Sequence, residues 1–143
     1  MTVPALPQDW ALPQLTPFNE AWFTSGALAV QRCTSCATLQ HPPEEICHAC
    51  GAMSFDTKTL APTGTVYSYT VCHYAANNAL ASAVPYTVVL VSLDDAPHIR
   101  VVGNLVGEQG GDGVRIGMPV VATWDERTAE DGTVILLAQW VPA

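Results

Sequence analysis

The stretch Cys33-Thr34-Ser35-Cys36 and, ten residues further on, Cys47-His48-Ala49-Cys50-Gly51 decides how the chain around it folds. Each pair of cysteines with two residues between them makes a tight knuckle, and the two knuckles face each other across a short loop. Each offers two thiolates to one tetrahedral ion, with Zn–S about 2.3 Å. Four soft sulfur ligands select zinc or iron over hard cations. The same spacing serves redox dithiols, but two such pairs around a short β loop read as a metal clip. The expected ligands are Cys33, Cys36, Cys47 and Cys50 and the expected cofactor is Zn2+, with a rubredoxin-like iron centre or disulfides as the alternatives. Four thiolates leave no open position for water, so such a metal holds the fold and does not catalyse. His48 reads as a knuckle residue, because the cysteines already complete the shell.

Outward from the knuckles, short β-prone runs flank both pairs: Leu28 to Arg32, Thr38 to His41 and Ser54 to Leu60. Together these place a zinc ribbon over residues 27–61. Before it, residues 1–26 form an arm and a helix. The segment up to Leu15 is proline-rich without a sustained period, and reads as an extended arm that lies against something else. Thr16 and Pro17 look like an N-cap and a first-turn proline, with Phe18, Ala21 and Trp22 on one face and Gly26 as a stop. That short helix packs on its own domain or docks on another subunit.

After Ala61-Pro62 the β segments lengthen. Strands are expected near Thr65–His73, Tyr86–Leu93, Ile99–Val106, Val120–Asp125 and Val134–Val141. Five strands over residues 62–143 suggest a small barrel. The breakers between them are Asn77-Asn78 with Pro85, Asp94-Asp95 with Pro97, the glycine-rich run from Gly107 to Gly113, and a hairpin turn at Glu130-Asp131-Gly132. Alternation places Val66, Ser68 and Thr70 on one face of the first long strand and Tyr67, Tyr69 and Val71 on the other. Thr87 to Leu93 is more uniformly apolar, as in a strand covered on both sides.

The 143 residues are 49% hydrophobic and 13% charged, a balance that supports a real core in one ordinary domain or two small ones. No apolar run approaches the roughly 20 residues that cross a bilayer, and the opening segment lacks the basic flank and apolar centre of a signal peptide. A soluble, cytoplasmic chain is expected. Five lysines and arginines against thirteen aspartates and glutamates give a net charge of −8, a field that repels nucleic-acid phosphate.

No self-sufficient active site is visible. Cys72 and His73 are adjacent, but neighbours on a strand point to opposite faces, so the thiol and base cannot pair, and Cys72 reads as a lone buried cysteine. His41 and His98 sit beside prolines as ordinary surface histidines. The carboxylates fall in turns, where turn chemistry and solubility place them. The glycine-rich run lacks the strand-to-helix context of a phosphate loop.

In this order, ribbon then barrel, the chain resembles the DUF35 family. The resemblance runs through Phe18 to Phe23, Val30-Gln31-Arg32-Cys33, His41-Pro42-Pro43 and Cys50-Gly51 into the barrel. There it is carried by Gly64-Thr65-Val66-Tyr67-Ser68-Tyr69-Thr70-Val71, Pro85-Tyr86, Gly103-Asn104-Leu105-Val106-Gly107 and Ile116-Gly117-Met118-Pro119-Val120. The resemblance implies a mainly β fold, a rubredoxin-like zinc ribbon followed by a five-stranded OB-fold. It also implies a non-catalytic accessory subunit of a thiolase-fold acyl-CoA enzyme (an aldolase, thiolase or acyltransferase of lipid or steroid chemistry), helping to shape its acyl-CoA channel. Family members often carry an arginine after the Pro-Pro pair and a proline after the third cysteine, where this chain has Glu44-Glu45 and His48.

The residues expected to meet such a partner are Phe18 and Trp22 on the helix, and Tyr74 and Leu80 in the apolar loop from Tyr74 to Pro85. Its five scattered cations offer no clustered phosphate site, so most CoA contacts fall to the partner. The alternative is a nucleic-acid-binding module, since ribbons and OB-folds both serve that role and Tyr67 and Tyr69 are candidate stacking residues.

Overall fold

The computed structural model describes residues 7, 10–107 and 112–143. The proline-rich arm and the glycine-rich run therefore lie partly outside the described residues. Among the described residues the chain order is one α-helix and eight strands: α1 (Glu20–Thr24), β1 (Leu28–Cys33), β2 (Leu39–Gln40), β3 (Phe55–Leu60), β4 (Thr63–Cys72), β5 (Tyr86–Leu93), β6 (Arg100–Leu105), β7 (Pro119–Thr128) and β8 (Val134–Pro142). The first three strands form a sheet in the order β2-β1-β3, and the other five close into a barrel in the order β4-β5-β6-β8-β7. That closure, with antiparallel neighbours except at β6 and β8, is the OB-fold. Among the described residues no helix is long and apolar enough to cross a membrane.

The strands form where β-branched and aromatic residues alternate. In β5, Thr87, Val89, Val91 and Leu93 are buried while Tyr86, Val88, Leu90 and Ser92 are only half covered, so this strand is less enclosed on its outer face than its apolar composition suggests. In β4 the expected alternation breaks. Val66 pairs with Val91 but Ser68 pairs with Leu90, so Tyr67 is an extra residue in a bulge. Past it the phase reverses: Tyr69, opposite buried Val89, shares the face of Val66, and Ser68 and Thr70 turn outward.

Two glycines are set by close approach. A Cβ on Gly64 would lie 2.5 Å from the Ser92 carbonyl oxygen, and one on Gly103 would lie 3.1 Å from the Ala138 carbonyl oxygen and 3.0 Å from the Trp140 ring. Gly103 thus lets β6 press against β8 where the two strands pair only through Leu105 and Trp140.

Trp140, Val66, Val89, Val91, Leu93, Val101 and Val120 fill the barrel, and Leu28, Val30 and Leu60 of the ribbon belong to the same buried cluster. Each fully buried side chain of this size contributes roughly 1.5–3 kcal/mol. The ribbon is therefore welded to the barrel through a shared core.

Helix α1 starts later than the Thr16-Pro17 pattern predicts. Asn19 Oδ1 accepts the Thr16 N–H at 2.7 Å, while the Thr16 carbonyl accepts from the N–H groups of Asn19 and Glu20. Thr16 Oγ1 itself is buried without a partner, so it does not cap. Gly26, at φ +68°, stops the helix as expected. Trp22 is 7% exposed and sits in the core, because α1 packs on both β1 and β8 and its ring fills the seam between ribbon and barrel. Of the two helix residues expected to meet a partner, Trp22 is thus covered by its own chain, and Phe18 is half-buried.

In the loop after β4, Asn77 Oδ1 accepts the Ala79 N–H at 2.9 Å and starts a single turn over Asn78–Leu80. Of the two loop residues expected to meet a partner, the turn rotates Leu80 inward to 8% exposure and leaves Tyr74 at 83% exposure. Cys72 is half-buried, paired in register with Tyr86, and so is not the core cysteine expected.

Candidate metal centre and barrel cleft

The four cysteine sulfurs lie within 4.8 Å of one another. Cys33 and Cys36 come from the end of β1 and the turn after it, Cys47 and Cys50 from the second knuckle. The two knuckles are built alike. Ala37 N–H donates to the Cys33 carbonyl as Gly51 N–H does to that of Cys47, both at 2.9 Å, and Cys33 N–H and Cys47 N–H donate in turn to Thr38 and Ala52. Sulfurs approach across the knuckles, Cys33 to Cys50 at 3.6 Å and Cys36 to Cys47 at 3.7 Å. A regular tetrahedron with Zn–S about 2.3 Å has edges of about 3.8 Å, so the thiols stand where tetrahedral ligands belong.

The electrostatics also fit a cation. The Thr38 hydroxyl, 3.1 Å from Cys36 Sγ, and the Thr38 backbone N–H lower the Cys36 thiol to about 6. The Ala52 N–H favours the thiolate of Cys50, yet the neighbouring Cys33 and Cys36 thiols outweigh it and push Cys50 up to about 12. Four thiolates in one cluster repel, and a divalent ion is what lets all of them ionise. Cys33 and Cys47 are buried while Cys36 and Cys50 face outward, so one side of the cluster is anchored in the ribbon.

A cleft of about 510 Å³ opens where helix, ribbon and barrel meet. One wall is Trp22, Phe23 and the segment His41-Pro42-Pro43; the other is β6 and β8, from Val101 to Asn104 and from Leu137 to Gln139. The cleft carries no lysine, arginine or carboxylate among its lining residues.

His41 is not the surface histidine expected. Its ring lies 4.3 Å from that of Trp22, its Nδ1 is buried without a partner, and burial lowers it to about 4, so it stands neutral in the wall. Two buried glutamines, Gln31 and Gln40, also escaped the sequence reading. The one hint was a lone amide inside the apolar run of β1.

Fold and site together define a zinc-ribbon protein carrying an OB barrel. Residues 24–56 match the model of the ChsH2 rubredoxin-like zinc ribbon domain, and residues 57–125 that of the ChsH2 C-terminal OB-fold domain. The chain belongs to the DUF35 family and binds Zn2+. It is 35% identical over 102 residues to a DUF35 domain-containing scaffold protein of Methanocaldococcus jannaschii, covering 71% of this chain and 69% of that protein. It is 42% identical over 121 residues to a probable enoyl-CoA hydratase alpha subunit of Thermomonospora curvata, covering 82% of this chain. This chain spans only 36% of that subunit's length. Among solved structures, a chain of the Ltp2-ChsH2(DUF35) aldolase superposes with a TM-score of 0.74 at 40% identity, covering 92% of this chain and 98% of that one.

Proposed function

We propose that this chain is a non-catalytic accessory subunit that binds and stabilises a thiolase-fold acyl-CoA enzyme, an aldolase, thiolase or acyltransferase, and lends a wall to its acyl-CoA channel. The observation that carries this reading is the likeness, over 98% of its length, to a chain of the Ltp2-ChsH2(DUF35) aldolase. The scaffold name of the Methanocaldococcus relative supports the same role.

In this reading Cys33, Cys36, Cys47 and Cys50 hold zinc as a structural ion, and no step of the partner's chemistry passes through it. The chain's own work is positional. The uncharged cleft beside β6 suits an apolar or amide-bearing segment of an acyl-CoA, and the neutral His41 keeps charge out of its wall. Arg32 is held by Asp56, Arg127 by Asp125, and Arg100 lies over the Tyr67 ring, which leaves exposed Lys58 and Arg115 on separate elements and no clustered phosphate site, so contacts to the CoA phosphates fall mainly to the partner. Exposed Tyr74 and half-buried Phe18, each on its own element, are the residues this reading offers the enzyme. Trp22 and Leu80 support them from within.

An activity assay tests the proposal. The chain alone is expected to show no aldolase, thiolase or acyltransferase turnover, while a thiolase-fold acyl-CoA enzyme from the same genome gains soluble yield and activity when both are co-expressed. Turnover by the isolated chain overturns the non-catalytic reading.

A further inference from the structure

Between the two knuckles the ribbon hides a polar pair. Gln31 in β1 and Gln40 in β2 are partners in register, 2% and 3% exposed. Buried amides in so small a sheet are costly unless they are satisfied. Here they are satisfied by one another and by the loop that leads into the second knuckle.

Gln40 Nε2 donates to Gln31 Oε1 at 2.7 Å and to the Ile46 carbonyl at 3.2 Å, and Gln40 Oε1 accepts the His48 N–H at 3.0 Å. Gln31 grips Glu44 on both sides: its Oε1 accepts the Glu44 N–H at 2.9 Å and its Nε2 donates to the Glu44 carbonyl at 2.7 Å. The backbone partners fix both amide orientations, since turning either amide over would set donor against donor. His48 lies between Cys47 and Cys50, so its bond to Gln40 Oε1 lands inside the knuckle itself. No backbone ladder reaches that segment, because β2 ends at Gln40 and β3 begins at Phe55.

We propose that the Gln31–Gln40 pair is a positioning device that sets the second knuckle at the geometry the metal needs and so governs how long zinc stays bound. The first knuckle is carried by β1 and needs no such help. The second hangs on a loop, and the two amides replace the strand it lacks. Polar groups that orient metal ligands typically change affinity by about 10–100-fold when removed. The inference rests on the four-cysteine ligand reading, which zinc content tests separately.

The experiment uses the full zinc-loaded chain with Gln40→Met, Gln31→Met and the double variant, residues of matching length without amide groups. Zinc transfer to a chromogenic chelator is expected to run at least tenfold faster in Gln40→Met. In the double variant it should stay within about twofold of the faster single variant, because the pair acts as a unit. In the cobalt-substituted proteins the thiolate charge-transfer and d–d bands should shift in Gln40→Met. They should stay in place in Leu60→Ala, which weakens the shared core without touching the knuckle. Release within twofold of the wild type, with unchanged cobalt bands, overturns the proposal. Should Gln40→Met not fold, hydrogen exchange in the wild-type zinc protein decides: the His48 amide is expected to be as protected as the β1–β3 ladder, and exchange at the rate of an open loop amide refutes the role. A wild-type chain without zinc would instead sink the ligand reading.

Discussion

Ala37 and Gly51 occupy the same place in the two knuckles, each one residue past its second cysteine, and both take a left-handed backbone, at φ +63° and +78°. Glycine enters that region freely, whereas alanine pays on the order of 1–2 kcal/mol. Ala37→Gly is therefore expected to stabilise the zinc protein by about 0.5–1 kcal/mol after the entropy of the unfolded glycine is subtracted. Gly51→Ala should cost about 1 kcal/mol through the backbone alone, since a Cβ there meets nothing within 4 Å. Urea midpoints of the two variants check both signs.

His41 should make stability fall with acid. Burial lowers it to about 4 in the folded chain, against about 6.5 when unfolded, so between those values the unfolded state binds the extra proton. Stability from this group is complete above pH 6.5 and is lost as pH falls toward 4, at no more than about 1.4 kcal/mol per pH unit. His41→Phe keeps a ring against Trp22 and removes the titration. The difference in urea midpoint between pH 7 and pH 5 should be smaller in the variant, and an equal difference would remove His41 from the account.

Arg127 is 3% exposed and fastened to Asp125 by Nε at 3.1 Å and Nη2 at 2.8 Å, with Nη1 donating to the Pro7 carbonyl at 2.6 Å. Arg127→Met leaves the Asp125 carboxylate covered and unpaired and is expected to cost roughly 3–5 kcal/mol. Adding Asp125→Leu should recover most of that loss. A double-mutant cycle by denaturant unfolding reads the recovery directly.

Removing the metal or a ligand should undo the ribbon. Zinc binding energy in small ribbons is folding energy, and Cys33 ends β1 inside the shared core. Cys33→Ser should carry substoichiometric zinc and show altered circular dichroism. A variant with full zinc content and an unchanged spectrum contradicts the ligand role.

Much of this was legible in the chain. The cysteine spacing announced the metal, and the alternating runs located the strands to within a few residues. The Glu130-Asp131-Gly132 turn appears with Asp131 accepting the Thr133 N–H at 2.9 Å and Gly132 at φ +87°. What stayed hidden depends on contacts between distant segments. The bulge at Tyr67 has no local signature, because it arises from the register with β5. Trp22 and His41 meet only once the helix lies over the ribbon. Gln31 and Gln40 look like ordinary strand residues until the loop from Glu44 to His48 closes over them. Propensity and periodicity report what a segment prefers alone, and these features belong to pairs.

The proposed role as one part of a larger enzyme is tested most directly by sedimentation velocity at micromolar concentration, on the chain co-expressed with a thiolase-fold acyl-CoA enzyme from the same genome. The account predicts one faster-sedimenting species containing both chains, and slower complex formation or a lost complex when exposed Tyr74 is replaced by aspartate. Two independent species, with this chain sedimenting at its own 15.2 kDa, would contradict it.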